Sequence, residues 1–161
     1  MLYVESVHAS KGNCHLYGSE FIDRAVNFII SYDCGGDPEF LWHELSYDMR
    51  SNQPTKLCLV AIDEETGEVH GHLLAELQAQ YGIRQVMITQ LEITHESADM
   101  RRHVLEEGWP LVEDWAQINQ AKSIKCWAMN PKVAKVFEKF GLKDKGVTVM
   151  EVKLQPTVKE V

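Results

Sequence analysis

The chain has 161 residues, 45% of them hydrophobic and 25% charged, enough to bury a core within one globular domain. Its 16 Lys and Arg against 24 Asp and Glu leave a net charge of -8, a surface that repels a phosphate backbone, so nucleic acid is not an expected partner and a basic or neutral one is. No run approaches the length of a membrane helix, and "MLYVESVHAS" lacks a basic segment followed by an apolar stretch, so neither a membrane nor a secretory leader is expected.

Leu2 to Val7 has the composition of a first strand. In "GSEFIDRAVNFIISY", Phe21, Ile22, Ala25, Val26, Ile29 and Ile30 fall on one helical face, with Ser19 as a candidate cap. "CGGDPEFLWHELSYDMRS" restarts after a glycine hinge, with Asp37 as N-cap and Pro38 at the first helical position, and predicts a second helix of about three turns. The period then changes. "KLCLVAIDEETGEVHGHLLAELQAQ" reads as two strands around Glu-Glu-Thr-Gly, and "IRQVMITQLEIT" as a third. From Asp99 to Gln120 helical spacing returns through Val104, Leu105, Leu111, Val112, Trp115 and Ile118. Pro110 inside that window predicts a helix that starts near Trp109 or breaks there.

"KSIKCWAMN" is the next strand. In "WAMNPKVAKVFEKFGLK", Asn130 stands where an N-cap belongs and Pro131 follows at the first helical position. Val133, Val136, Phe137 and Phe140 form one face, and Gly141 supplies the left-handed conformation that closes a helix. "GVTVMEVKL" reads as a closing strand and "QPTVKEV" as a tail. The cysteines at 14, 34, 58 and 126 form no C-x-x-C and read as reduced core or subsurface thiols. The chain thus reads as one α/β (α+β) domain, 1–161: a strand and two helices in 2–55, a sheet core with a long helix in 56–154, and the tail 155–161. The order is β-α-α-β-β-β-α-β-α-β around a mixed, mainly antiparallel sheet.

Three stretches carry a resemblance. "LVAIDEETGEVHGHLLAEL" resembles the hairpin of the GNAT (N-acetyltransferase) superfamily, "LEIT" with the helix ending "VEDWAQ" resembles its central strand and cofactor helix, and "MNPKVAKVFEKFGL" resembles its N-x-x-A-x-x-x-Y-x-k-x-G-F segment. The resemblance spans roughly Lys56 to Leu154 and implies the GNAT fold. It also implies a pyrophosphate loop for acetyl-CoA, Q/R-x-x-G-x-G/A, just before the long helix, where glycines let backbone N-H groups approach the phosphates. The corresponding stretch here is "HESADMRRHVLEEGWP". Read from Arg101 the pattern asks for glycine at Val104 and a small residue at Glu106; read from Arg102 it asks for them at Leu105 and Glu107. Neither register carries them, and Glu106 and Glu107 would repel a dianion. Arg101, Arg102 and His103 remain as side-chain phosphate ligands, with Ile93 and Asn130 as further contacts if the cofactor binds.

The resemblance also implies a tyrosine seven residues after Asn130, whose hydroxyl protonates the departing thiolate. This chain has Phe137, which has no proton to donate. Glu92 in "QLEIT" is the candidate general base, or else a solvated outward carboxylate. His70 and His72 stand two apart on a strand without a third ligand, and His8, His15, His43, His95 and His103 are scattered, so no metal is expected. Two readings follow. One is a GNAT-fold protein that transfers no acyl group, needs no cofactor and serves as a binding or structural component. GNAT-like proteins of bacteriophage particles, to which this sequence is similar in style, imply such a role, in the cytoplasm or inside the particle. The other is an acetyl-CoA-dependent N-acetyltransferase acting on a small or protein amine. For the first reading, Phe40, Trp42 and Tyr47 on the second helix are the candidate contacts for a protein partner or assembly; the alternative for these rings is a place in the core.

Overall fold

The computed structural model describes residues 1–127, 131–146 and 150–154. It contains, in order, β1 (Leu2–Ser6), α1 (Cys14–Ser31), α2 (Pro38–Asp48), β2 (Lys56–Asp63), β3 (Val69–Gln80), β4 (Ile83–Ile93), α3 (Ala98–Ile118), β5 (Ile124–Cys126) and α4 (Pro131–Lys139). The strands form one sheet in the order β1-β2-β3-β4-β5, antiparallel except for the parallel β4–β5 pair. The chain divides into two compact units, Met1–Ala128 and Met129–Val161.

The first unit has a core on each side of its sheet, because alternate residues of a strand face opposite ways. Cys58, Val60 and Ile62 of β2 and Leu74 of β3 pack with Phe21, Ile22 and Ala25 of α1 and with Leu45 and Met49 of the α2 segment. Ala61 turns the other way, toward Leu2 and Val104, with Val4, Ile93 and Met100 against them. Each fully buried large side chain here contributes about 1.5–3 kcal/mol.

α1 begins at Cys14, earlier than a Ser19 cap would place it. Buried Asn13 accepts from His8 N at 3.1 Å and donates to Ser6 O at 2.8 Å, so it ties the exit of β1 to the helix start without capping through its side chain. α1 also turns Phe28 inward and leaves Ile30 exposed, reversing part of the expected face. α2 starts as its sequence requires: the Asp37 carboxylate accepts from Glu39 N (2.9 Å) and Phe40 N (3.3 Å). Its far end is clamped to β2. Asp48 accepts from Thr55 N, Thr55 Oγ1 and Lys56 N, and the Lys56 ammonium sits between Glu44 (2.6 Å) and Glu76 (3.5 Å). These carboxylates outweigh burial and raise the lysine pKa, although burial is the largest single influence and acts the other way.

α3 runs unbroken through Pro110, contrary to the expected start or break near Trp109. Proline removes the N-H that would bond the Glu106 carbonyl, but the buried Val104, Gly108, Val112 and Ala116 hold the helix on both sides of it. Of the cysteines, all free, Cys58 is buried and Cys14 and Cys126 are half-buried, while Cys34 is exposed rather than subsurface.

In the second unit, α4 starts at Pro131, and the Asn130 cap lies outside the described residues. Gly141 at φ 93° closes the helix: Leu142 N bonds Phe137 O and Gly141 N bonds Glu138 O. Residues 150–154 form no strand, and Met150, Val152 and Leu154 are exposed, so this part of the expected closing strand is absent; 147–149 lie outside the described residues.

Candidate functional site

The sheet opens at the end of β4. Leu74 pairs with Gln90 and Ala75 with Ile88, so Thr89 is an extra residue in the ladder, a bulge, and its hydroxyl donates to Leu74 O at 3.3 Å. β5 follows β4 only from Val86 to Ile88, and Trp127 N reaches Ile88 O at 3.3 Å. β4 continues to Ile93 with no further β5 partner among the described residues. Thr94 N donates to His70 O, so strand alternation turns the backbone groups of Ile93 and Leu91 away from β3, toward the open side. Gly71 lets the strands close up here: a Cβ on it would stand 2.9 Å from Glu92 O.

Glu92 lies opposite His72 in the β3–β4 register and within reach of α1. Its Oε1 is 4.0 Å from Arg24 Nη1. Arg24 also approaches Glu20 at 3.5 Å and donates to Val69 O. The candidate base is therefore half of an ion pair, and an ammonium approaching it meets the Arg24 charge as well. His72 is 3% exposed, with its ring edge-on to Phe21 and Phe28. Its Nε2 is 2.8 Å from Gln90 Oε1, an acceptor, which makes Nε2 the protonated nitrogen. Gln90 in turn donates to Ala25 O at 3.2 Å. Burial, aided by Arg24 and opposed by Gln90, lowers the His72 pKa to about 4. The imidazole is thus neutral at physiological pH and closed to solvent, a poor station for a proton taken from a substrate. Arg24 is the residue sequence reasoning missed; its signal is a cation between Ile22 and Ala25 on the apolar stripe of α1.

The segment compared with a phosphate loop is not a loop. Only residues 94–97 separate β4 from α3, and Arg101, Arg102 and His103 are helical. Arg101 N already bonds Ser97 O, and later N-H groups of α3 are committed to the helix, so glycine at 104 or 106 would open no backbone to a ligand. Ser97 Oγ caps Met100 N at 3.3 Å, and Ser97 N donates to His95 Nδ1 at 3.0 Å. Of the basic side chains, Arg101 donates to His95 O, Arg102 makes only an exposed 3.9 Å contact with Asp99, and His103 Nε2 lies 3.5 Å from Glu107 without a hydrogen bond. Ser97 already takes the N-H groups of Met100 and Arg101, and the first turn carries the acidic Asp99, an arrangement that does not fit a pyrophosphate.

Phe137 is buried on α4, while Asn130 lies outside the described residues. His70 stacks edge-on with His95 (6.0 Å between ring centres), whereas His72 points into the core; no cluster of three metal-ligating side chains exists among the described residues. Phe40, Trp42 and Tyr47 do not complete the core. They are 66%, 42% and 77% exposed, while Leu41 and Leu45 hold α2 to the sheet. Beside Tyr47 is an open depression of about 770 Å³ lined by His43, Ser46, Tyr47, Arg50 and residues 51–53. It lies beside the segment that leads into β2, whereas Glu92 is level with Val60, midway along that strand. No helix among the described residues is long and apolar enough to cross a membrane.

No protein-family model and no curated protein matches the chain. Solved structures do. A probable acetyltransferase superposes with a TM-score of 0.64 at 14% identity, covering 98% of this chain and 99% of that one. A putative acetyl transferase from Pyrococcus furiosus gives 0.60 at 19%, covering 96% and 100%. Glucosamine-6-phosphate N-acetyltransferase from Arabidopsis thaliana gives 0.61 at 11%, covering 94% and 98%. The chain has the GNAT acetyltransferase fold.

Proposed function

We infer that this is a GNAT-fold protein that transfers no acetyl group and acts by binding protein, as a component of an assembly. The observation that carries this reading is the start of α3: where an acetyl-CoA enzyme needs a glycine-lined loop, this chain has a capped helix whose backbone N-H groups bond within the helix and whose Arg101 is held by His95 O. Phe137 in place of a proton-donating tyrosine and a Glu92 paired with Arg24 add to it. The exposed rings of α2 supply the docking surface. The similarity in style to GNAT-like proteins of phage particles extends the reading to a virion component, in the cytoplasm or in the particle. The competing reading, an N-acetyltransferase acting on a small or protein amine, draws on the fold, on the acetyltransferase names of its structural neighbours and on the open edge of β4.

Titration calorimetry with acetyl-CoA and with CoA separates the two. The expected result is no heat of binding up to millimolar cofactor, and no thiol release with a panel of amines. Micromolar affinity would overturn the non-catalytic reading and make Glu92→Gln the next variant to assay.

A further inference from the structure

The outward face of α2 has a regular pattern. Phe40, His43, Tyr47 and, in the turn that closes the helix, Arg50 follow one another at intervals of three, four and three residues, the spacing that places side chains on one helix face. That face is in solvent: Phe40 is 66% exposed, Tyr47 77% and the His43 side chain 70%. Phe40 and Tyr47 stand on the same side of the helix, about 10 Å apart along its axis.

The pattern is also self-complementary. Positions 40 and 47 lie at equal distances from a point between 43 and 44, and so do positions 37 and 50. Rotating a second α2 by a twofold axis through that point, antiparallel to the first, puts Phe40 of each copy over Tyr47 of the other and Arg50 of each beside Asp37 of the other. The charges match. Asp37 uses Oδ1 for its cap and keeps Oδ2 for a partner, and among the described residues Arg50 has no carboxylate within 4.0 Å. The depression beside Tyr47 and Arg50 then receives the Phe40 ring of the second copy, so the exposed ring and the hollow are two halves of one contact repeated by symmetry.

We propose that the occupant of this face is a second copy of the chain, in an isologous dimer formed by antiparallel packing of α2 on α2. The proposal rests on the reading of α2 as the docking surface and names its partner. One helix pair buries less than a standard interface of about 1,600 Å², the size class of weak, reversible contacts, so the dimer is sought across a wide concentration range.

Sedimentation velocity from low micromolar to submillimolar protein tests it. The expected result is a concentration-dependent dimer. Phe40→Asp, which enters the interface twice, should raise the dissociation constant on the order of a thousand-fold while leaving the circular dichroism spectrum unchanged, and the Tm unchanged at concentrations where the parent is monomeric, because the ring is exposed in the monomer. A positional check uses His43→Cys with exposed Cys34 replaced by serine: a residue next to the twofold axis should give a disulfide-linked dimer on mild oxidation. A monomer at every concentration, or a dimer that is indifferent to Phe40→Asp and is not trapped by His43→Cys, would overturn the proposal. These results are independent of cofactor binding: a monomer that ignores CoA sinks the dimer alone, whereas a dimer that binds CoA sinks the non-catalytic reading alone.

Discussion

Replacing Asp48 by alanine should loosen the joint between α2 and the sheet at a calculable cost. Asp48 is 7% exposed, and its carboxylate accepts three hydrogen bonds, from Thr55 N at 2.8 Å, Thr55 Oγ1 at 3.0 Å and Lys56 N at 3.1 Å. A hydrogen bond to a charged acceptor contributes about 1.5–3 kcal/mol, but water entering the vacated space recovers part of each donor's loss, leaving a net cost of about 3 kcal/mol. For a chain of 161 residues this corresponds to a fall in Tm of about 6–12 °C. Urea unfolding followed by circular dichroism measures the difference directly, and Asp48→Asn, which keeps one acceptor oxygen in place, should lose about half as much. Because Lys56 retains Glu44 and Glu76, the damage should stay local, with an unchanged urea dependence. An alanine variant within about 0.5 kcal/mol of the parent would refute the argument, since surface carboxylates generally fall in that range.

Two further outcomes follow from other parts of the first unit. The His72 pKa, near 4 in the fold, lies below the ordinary value of 6.5. Protons therefore bind the unfolded chain first: this contribution is complete above pH 6.5, is lost as pH falls from 6.5 to 4, and levels off below, a total of about 3 kcal/mol. In His72→Gln the slope of stability against pH across that window should flatten, and an unchanged slope would show that other groups set it. Tyr81 and Gly82 form the two-residue turn between β3 and β4 with φ of 53° and 76°, a conformation that suits asparagine-glycine and strains a tyrosine that is 95% exposed. Tyr81→Asn should raise stability by up to about 1 kcal/mol in urea unfolding, and a loss of stability would mean that the ring makes contacts its exposure conceals.

Local chemistry is what the sequence by itself determined. Asp37-Pro38 starts α2 and Gly141 ends α4 because capping and positive φ depend on residues within one turn of chain. The alternation from Cys58 to Ile62 separates the two faces of β2 because side chains on a strand point to opposite sides at every step. Local rules failed where a distant group supplied the decisive contact. Asn13 rather than Ser19 marks the start of α1 because its amide reaches back to Ser6 and His8, and α3 passes through Pro110 because burial on both sides outweighs one missing hydrogen bond. Tertiary structure alone decided the state of the candidate site. Glu92 reads in sequence as a lone strand carboxylate, but the packing of α1 on the sheet brings Arg24 to it, 68 positions away in the chain. The exposure of Phe40 and Tyr47 was equally illegible, since a helix with apolar residues on both sides does not reveal which side meets the sheet until the sheet is in place.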